Sequence, residues 1–123
     1  MRVILAGSRS ITKFAHVEAA INASGLDITE VVCGEAPGVD KMGRYWAEQH
    51  KIPIKSFPAD WDSDKRMAGF KRNVQMAEYA DALIAAWDGW STGTAHMIAT
   101  AAFMGMPVMI YKPKGDGDDK DEQ

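Results

Sequence analysis

Only one cysteine, Cys33, stands in the 123 residues. A single thiol excludes an internal disulfide and any site built from several thiolates. No apolar run approaches the ~18 residues that a membrane span needs, so no membrane partner is expected. The opening run Met1-Arg2-Val3-Ile4-Leu5-Ala6 is too short for a signal peptide and leads into a glycine loop. A cytoplasmic protein is the expectation. An excess of positive charge is missing too. The formal net charge is −3, and residues 114–123 carry it with two lysines against five acids. The rest of the chain balances 12 basic residues with 12 acidic ones. A neutral body lacks the electrostatic footprint of nucleic-acid binding, so nucleic acid is not the expected partner. The acidic tail lacks the glycine and glutamate spacing of a calcium loop and reads as disordered. No metal and no cofactor are expected.

Apolar residues make up 46% of the chain, enough for one core. A single domain is expected over residues 1–113, with a tail at 114–123. Strand-like and helix-like segments alternate. Strands are read at Val3–Ala6, Glu30–Cys33, Ile52–Phe57, Ala82–Trp87 and Pro107–Tyr111. Helices are read at Phe14–Ala23, Val39–His50, Met67–Ala80 and Thr94–Gly105. This alternation predicts an α/β fold with right-handed crossovers and a parallel sheet covered on both faces. Short, continuously apolar strands agree with burial on two sides.

Three of the strands run into loops of small residues that hand over to helices. They are Gly7-Ser8-Arg9-Ser10, Gly34-Glu35-Ala36-Pro37-Gly38 and Gly89-Trp90-Ser91-Thr92-Gly93-Thr94. The first amides of a helix have no partner within it, and the helix dipole adds positive potential there. Glycine lets the backbone approach a phosphate. Three such loops point to a phosphorylated small molecule, a nucleotide or its derivative.

Within the loops, Ser8 and Arg9 can contact phosphate through hydroxyl and guanidinium. Ser91, Thr92, Gly93 and Thr94 form the best candidate phosphate loop, with Gly89 at its start. Gly34 and Gly38 serve either the ligand or a tight turn around Pro37. Glu35 and Asp40 could take ribose hydroxyls, or Asp40 could simply suit the helix start. Trp90 and Trp61 are either base-stacking residues or packing anchors. Asp60 is a polar contact or a catalytic acid, and Arg72 with Asn73 beside it can reach the ligand.

In order and spacing these residues resemble the SLOG superfamily, most closely its YspA-like subgroup. The matching stretches are Ala6-Gly7-Ser8-Arg9, Gly34-Glu35-Ala36-Pro37-Gly38-Val39-Asp40, Trp46-Ala47 and Ala59-Asp60-Trp61. They continue with Ala68-Gly69, Arg72-Asn73, Met76, Ala80-Asp81, and Trp87 with Gly89, Ser91, Gly93 and Thr94. The resemblance implies a Rossmann-like three-layer domain with strand order 3-2-1-4-5. Strands one and four are then neighbours at the switch point, where ligands of such sheets sit. A more distant likeness is to the LOG-type nucleotide phosphoribohydrolases and to a DNA-processing, DprA-like branch. The LOG-type glycine motif continues to a catalytic glutamate; Met97 stands in its place here, while Arg72 matches a catalytic arginine. A thioether is neither acid nor base.

The resemblance thus implies a protein that senses, sequesters or processes a nucleotide-derived ligand. Hydrolysis of nucleotides or their N-glycosidic bonds and single-strand nucleic-acid binding remain as alternatives. Whether the chain is an enzyme stays open; Asp60 and Arg72 are the catalytic candidates. A homodimer through helices 67–80 and 94–105 is also expected. Helix 94–105 is apolar nearly all round, and Met67, Phe70, Val74 and Ala77 form a stripe on 67–80 with Arg72, Met76 and Tyr79 opposite.

Overall fold

Val3, Ile4, Leu5 and Ala6 are apolar without a break, and a strand of that kind must be covered on both faces. A computed structural model describes residues 1–34, 38–59 and 65–113, without the side chains of Lys65 and Arg66. Nine elements alternate: β1 (Arg2–Gly7), α1 (Phe14–Ser24), β2 (Glu30–Cys33), α2 (Val39–Gln49) and β3 (Ile54–Ser56), then α3 (Lys65–Tyr79), β4 (Ala82–Ala86), α4 (Thr92–Phe103) and β5 (Val108–Tyr111). The strands form one parallel sheet of order β3-β2-β1-β4-β5.

Alternation along each strand sends side chains to two separate cores. Val3, Leu5, Val31 and Ile84 face Val17, Ala20 and Ile21 of α1 and Trp46 and Ala47 of α2. Ile4, Val32, Leu83 and Ala85 face Met76 and Ala77 of α3 and Met97 and Ala101 of α4. The result is a Rossmann-like αβα sandwich. Among the described residues no helix is long and apolar enough to cross a membrane.

Some expectations need correction. β3 is three residues long, not the six of 52–57. Proline 53 has no amide to give, and only its carbonyl joins β2, accepting from Val31 N at 2.9 Å. α4 starts at Thr92, two residues earlier than read, because Ser91 caps it. The expected stripe on α3 is also displaced. Met76 and Ala77 are buried while Met67 is exposed, so the sheet-facing side runs through Met76 and Ala77. Phe70 turns sideways and stacks on His96 of α4, with ring centroids 4.0 Å apart at 13°. α3 and α4 therefore cover part of each other within one chain. On α4, Thr94, Met97 and Ala101 are buried, but Phe103 is not.

Candidate functional site

β1 and β4 are paired from Val3↔Ala82 to Gly7↔Ala86, so their loops leave the sheet side by side. Gly7 is glycine for a steric reason. A Cβ there would collide with the Ala86 carbonyl and with Val39. Ser8 then turns inward. Its amide donates to Ala86 O at 3.0 Å, and its hydroxyl accepts from Asp88 N at 3.0 Å. The side chain has no exposed surface. The expected phosphate contact of the Ser8 hydroxyl is thus replaced by a brace between the first and third loops. Arg9 and Ser10 point the other way and line the cavity.

The second loop joins the same place. Gly38, with φ +85°, caps the start of α2, and a Cβ on it would lie 3.3 Å from Arg9 Cα. Gly34 accepts a hydrogen bond from Arg72 Nη1 at 2.6 Å through its carbonyl. A Cβ on Gly34 would collide with that guanidinium. Gly34 is therefore the floor on which Arg72 lies. Glu35, Asp60 and Trp61 lie outside the described residues.

The third loop is organised by Asp88. One carboxylate oxygen accepts from the amides of Trp90 and Ser91, both at 2.8 Å. The other accepts from the Ser10 hydroxyl at 2.7 Å. Burial pushes the Asp88 carboxyl up, but the Ser10 hydroxyl, the amides of Ser91 and Trp90 and the Ser8 hydroxyl outweigh it, leaving about 2. Ser91 Oγ accepts from Thr94 N at 3.5 Å as the cap of α4, and Trp87 Nε1 donates to Ser91 O at 3.1 Å. Gly89, at φ +89°, makes the turn beside the Lys112 side chain. Trp90 is 88% exposed, so it is no packing anchor.

Asn73 ties the loop to α3. Its Oδ1 accepts from Arg72 Nε at 3.2 Å. Its Nδ2 reaches Gly93 O at 3.3 Å and His96 Nδ1 at 3.1 Å. With Nδ2 as donor, His96 must accept at Nδ1 and carry its proton on Nε2. Burial lowers the His96 pKa, which favours this neutral form. Burial also lowers the Arg72 pKa, partly offset by the charge of Asp40. An arginine in that position stays charged at neutral pH.

These pieces enclose one cavity of about 520 Å³. Its polar wall is Arg9, Asp40, Arg72, Asn73 and Asp88 with Ser91 to Thr94; its apolar wall includes Phe70, Met76 and Met97. The two helix ends at the cavity differ. Asp40, 6% exposed, already sets a carboxylate in the first turn of α2. The first turn of α4 has no acid. It offers the first amides of the helix, the hydroxyls of Thr92 and Thr94, and open space at Gly93, where a Cβ would meet nothing within 4 Å. Among the described residues no group of three or more His, Cys, Asp or Glu could hold a metal ion.

Sequence reasoning found Gly7, Arg9, Asp40, Arg72, Asn73 and Ser91 to Thr94 at this cavity. It missed Ser10, Phe70 and the looping role of Asp88. Phe70 carried no local signal. Asp88 did, since Asp followed by Gly is a turn signature in which the carboxylate takes the amides ahead.

A model of the YspA, cpYpsA-related SLOG family matches residues 1–63. The chain is also similar to the Gene 61 protein of Mycobacterium phage D29, at 33% identity over 90 residues, 68% of this chain and 72% of that protein. No solved structure matches. The family match ends before α3, so the placing of Arg72 and of the α4 loop rests on geometry.

Proposed function

Since the chain belongs to the YspA, cpYpsA-related SLOG family, we propose that it binds a nucleotide or a nucleotide-derived phosphorylated ligand and senses or sequesters it. The observation that carries this reading is the first turn of α4. It lines the same cavity as the half-buried Arg72 guanidinium and has no carboxylate of its own. A phosphate there meets amide dipoles and a fixed positive charge. The cavity size suits a nucleotide-sized molecule. Phe70 offers a ring already pinned by His96, and Trp90 stands exposed in the loop that leads to Ser91.

Hydrolysis by the LOG-type route has less support. Met97, where that route has a glutamate, is 1% exposed and forms apolar wall. Asp88 is ionised at neutral pH and occupied by three donors, so it makes a poor general acid. The charge balance of the body speaks against single-strand nucleic-acid binding.

Isothermal titration with AMP, ADP-ribose, NAD and cyclic dinucleotides tests the proposal. Saturable binding of at least one, with liquid chromatography showing no free base or ribose phosphate afterwards, is the expected result. Silence across the whole series contradicts it.

A further inference from the structure

Asn73 is buried and holds three neighbours at once. Arg72 Nε can only donate, and it donates to Asn73 Oδ1 at 3.2 Å. The Gly93 carbonyl can only accept, and Asn73 Nδ2 reaches it at 3.3 Å. These two partners fix which way round the amide stands. The third neighbour, His96 Nδ1, lies 3.1 Å from the same Nδ2 and can join the network only as an acceptor. A proton on Nδ1 would set donor against donor. Turning the Asn73 amide over would not relieve this. It would place Nδ2 against Arg72 Nε and Oδ1 against the Gly93 carbonyl. A buried polar group that loses its partner is costly, so the network must instead move apart.

Both groups that Asn73 steadies belong to the cavity. Arg72 is held at two points, by Nε on Asn73 and by Nη1 on the Gly34 carbonyl, and neither bond uses Nη2. Gly93 stands in the first turn of α4 and lines the cavity with Arg72 and Asn73. His96 stacks on Phe70, which lines it too.

We infer that His96 is a positioning residue for the ligand: in its neutral form it holds Asn73, and through Asn73 the Arg72 guanidinium and the α4 turn, in the arrangement that receives a phosphate, and its protonation releases them. The ligand half of this statement rests on the nucleotide reading; the coupling of His96 to Arg72 and Gly93 does not. The hydrogen bond and the ring contact of His96 both come from α3, and neither Asn73 nor Phe70 titrates. The charged groups around the cavity are Arg9 after β1, Asp40 on α2, Arg72 on α3 and Asp88 after β4. Burial lowers the His96 pKa, so the holding form prevails at neutral pH and release belongs below the ordinary 6.5.

Two measurements test this. NMR of the full chain without ligand, titrated from about pH 8 to about pH 5, follows His96, Arg72 Nε and the Gly93 carbonyl carbon together. All three are expected to move with one midpoint. In His96→Asn the side-chain carbonyl keeps an acceptor for Asn73 and binds no proton, so the Arg72 and Gly93 signals are expected to stay flat. Titration calorimetry with ADP-ribose and NAD over the same range is the second measurement. Their diphosphates keep one charge state there, whereas the phosphate of AMP titrates at about 6. Wild-type affinity is expected to fall in acid, approaching about tenfold per pH unit, because only the neutral fraction binds. His96→Asn is expected to show no such fall. His96→Leu keeps bulk against Phe70 but offers Asn73 no acceptor, and is expected to bind about tenfold more weakly than His96→Asn. The inference is overturned if the Arg72 and Gly93 signals stand still in the wild type, if the wild type and His96→Asn share one pH profile, or if the Asn and Leu variants bind alike. Failure of every nucleotide to bind at about pH 8 counts against the nucleotide reading instead, and the NMR comparison, which needs no ligand, still decides the inference.

Discussion

Gly93 lines the cavity and Gly34 holds the Arg72 that lines it, with opposite steric surroundings, and the contrast yields a test of what each does. Gly93 sits in the first turn of α4 with open space around it. Alanine there is tolerated by the fold and is favoured over glycine in a helix by up to about 1 kcal/mol. Gly93→Ala is therefore expected to hold or raise the melting temperature while weakening nucleotide binding by tenfold or more. Calorimetry and titration on the same sample separate the two effects. At Gly34 a Cβ displaces the Arg72 guanidinium. Gly34→Ala and Arg72→Ala should thus cost similar affinity, and the double variant little more than either, because both remove one interaction. Asn73→Asp offers a third test. Oδ1 still accepts from Arg72, but the donor to His96 Nδ1 is gone and a carboxylate replaces it. The His96 pKa, held low by burial, should rise, which histidine NMR titration reads directly. These roles were only half legible. Gly34 read as either a ligand contact or a turn residue, because its real neighbour lies 38 positions away on α3. Ser8 read as a ligand contact because local sequence does not reveal that its hydroxyl faces inward.

Among the elements, the β4–α4 connection is where charge and backbone are most tightly coupled. Asp88 holds the Trp90 and Ser91 amides as a cap holds a helix start. Asp88→Ala should destabilise by about 1 kcal/mol, the usual loss for a cap, read from denaturant unfolding. The acid dependence has a definite sign. The folded carboxyl titrates at about 2, below its ordinary 3.8. Its contribution is complete above pH 3.8 and is lost as pH falls toward 2. Much of the group meets solvent, so the effect is small and local. Fluorescence of Trp90 and Trp87 should change in that interval for the wild type and stay flat for Asp88→Asn. The alternation of strands and helices was legible because unbroken apolar runs and helical spacing are local signals. Helix starts were less so. Thr92-Gly93 looks like loop, and only the Ser91 hydroxyl on Thr94 N moves the boundary ahead of it.

For the molecule as a whole, strand order decides the site. β1 lies between β2 and β4, so the connections that leave these three strands share one sheet edge, although Gly7 and Asp88 stand 81 positions apart. Family likeness supplied that order; composition and spacing alone gave a parallel sheet without it. A ligand seated there stabilises the folded chain, and at 100 times its dissociation constant the gain is about 2.7 kcal/mol. Thermal shift should therefore grow with nucleotide concentration in the wild type and vanish in Arg72→Ala. The central claim is that the phosphate rests on the first turn of α4 and not on α2, where Asp40 already sits. Backbone amide NMR during titration with AMP and ADP-ribose tests it most directly. The predicted result is that the largest shifts fall on Thr92 and Gly93. Shifts centred on Val39 to Lys41, or none at either helix, would contradict it.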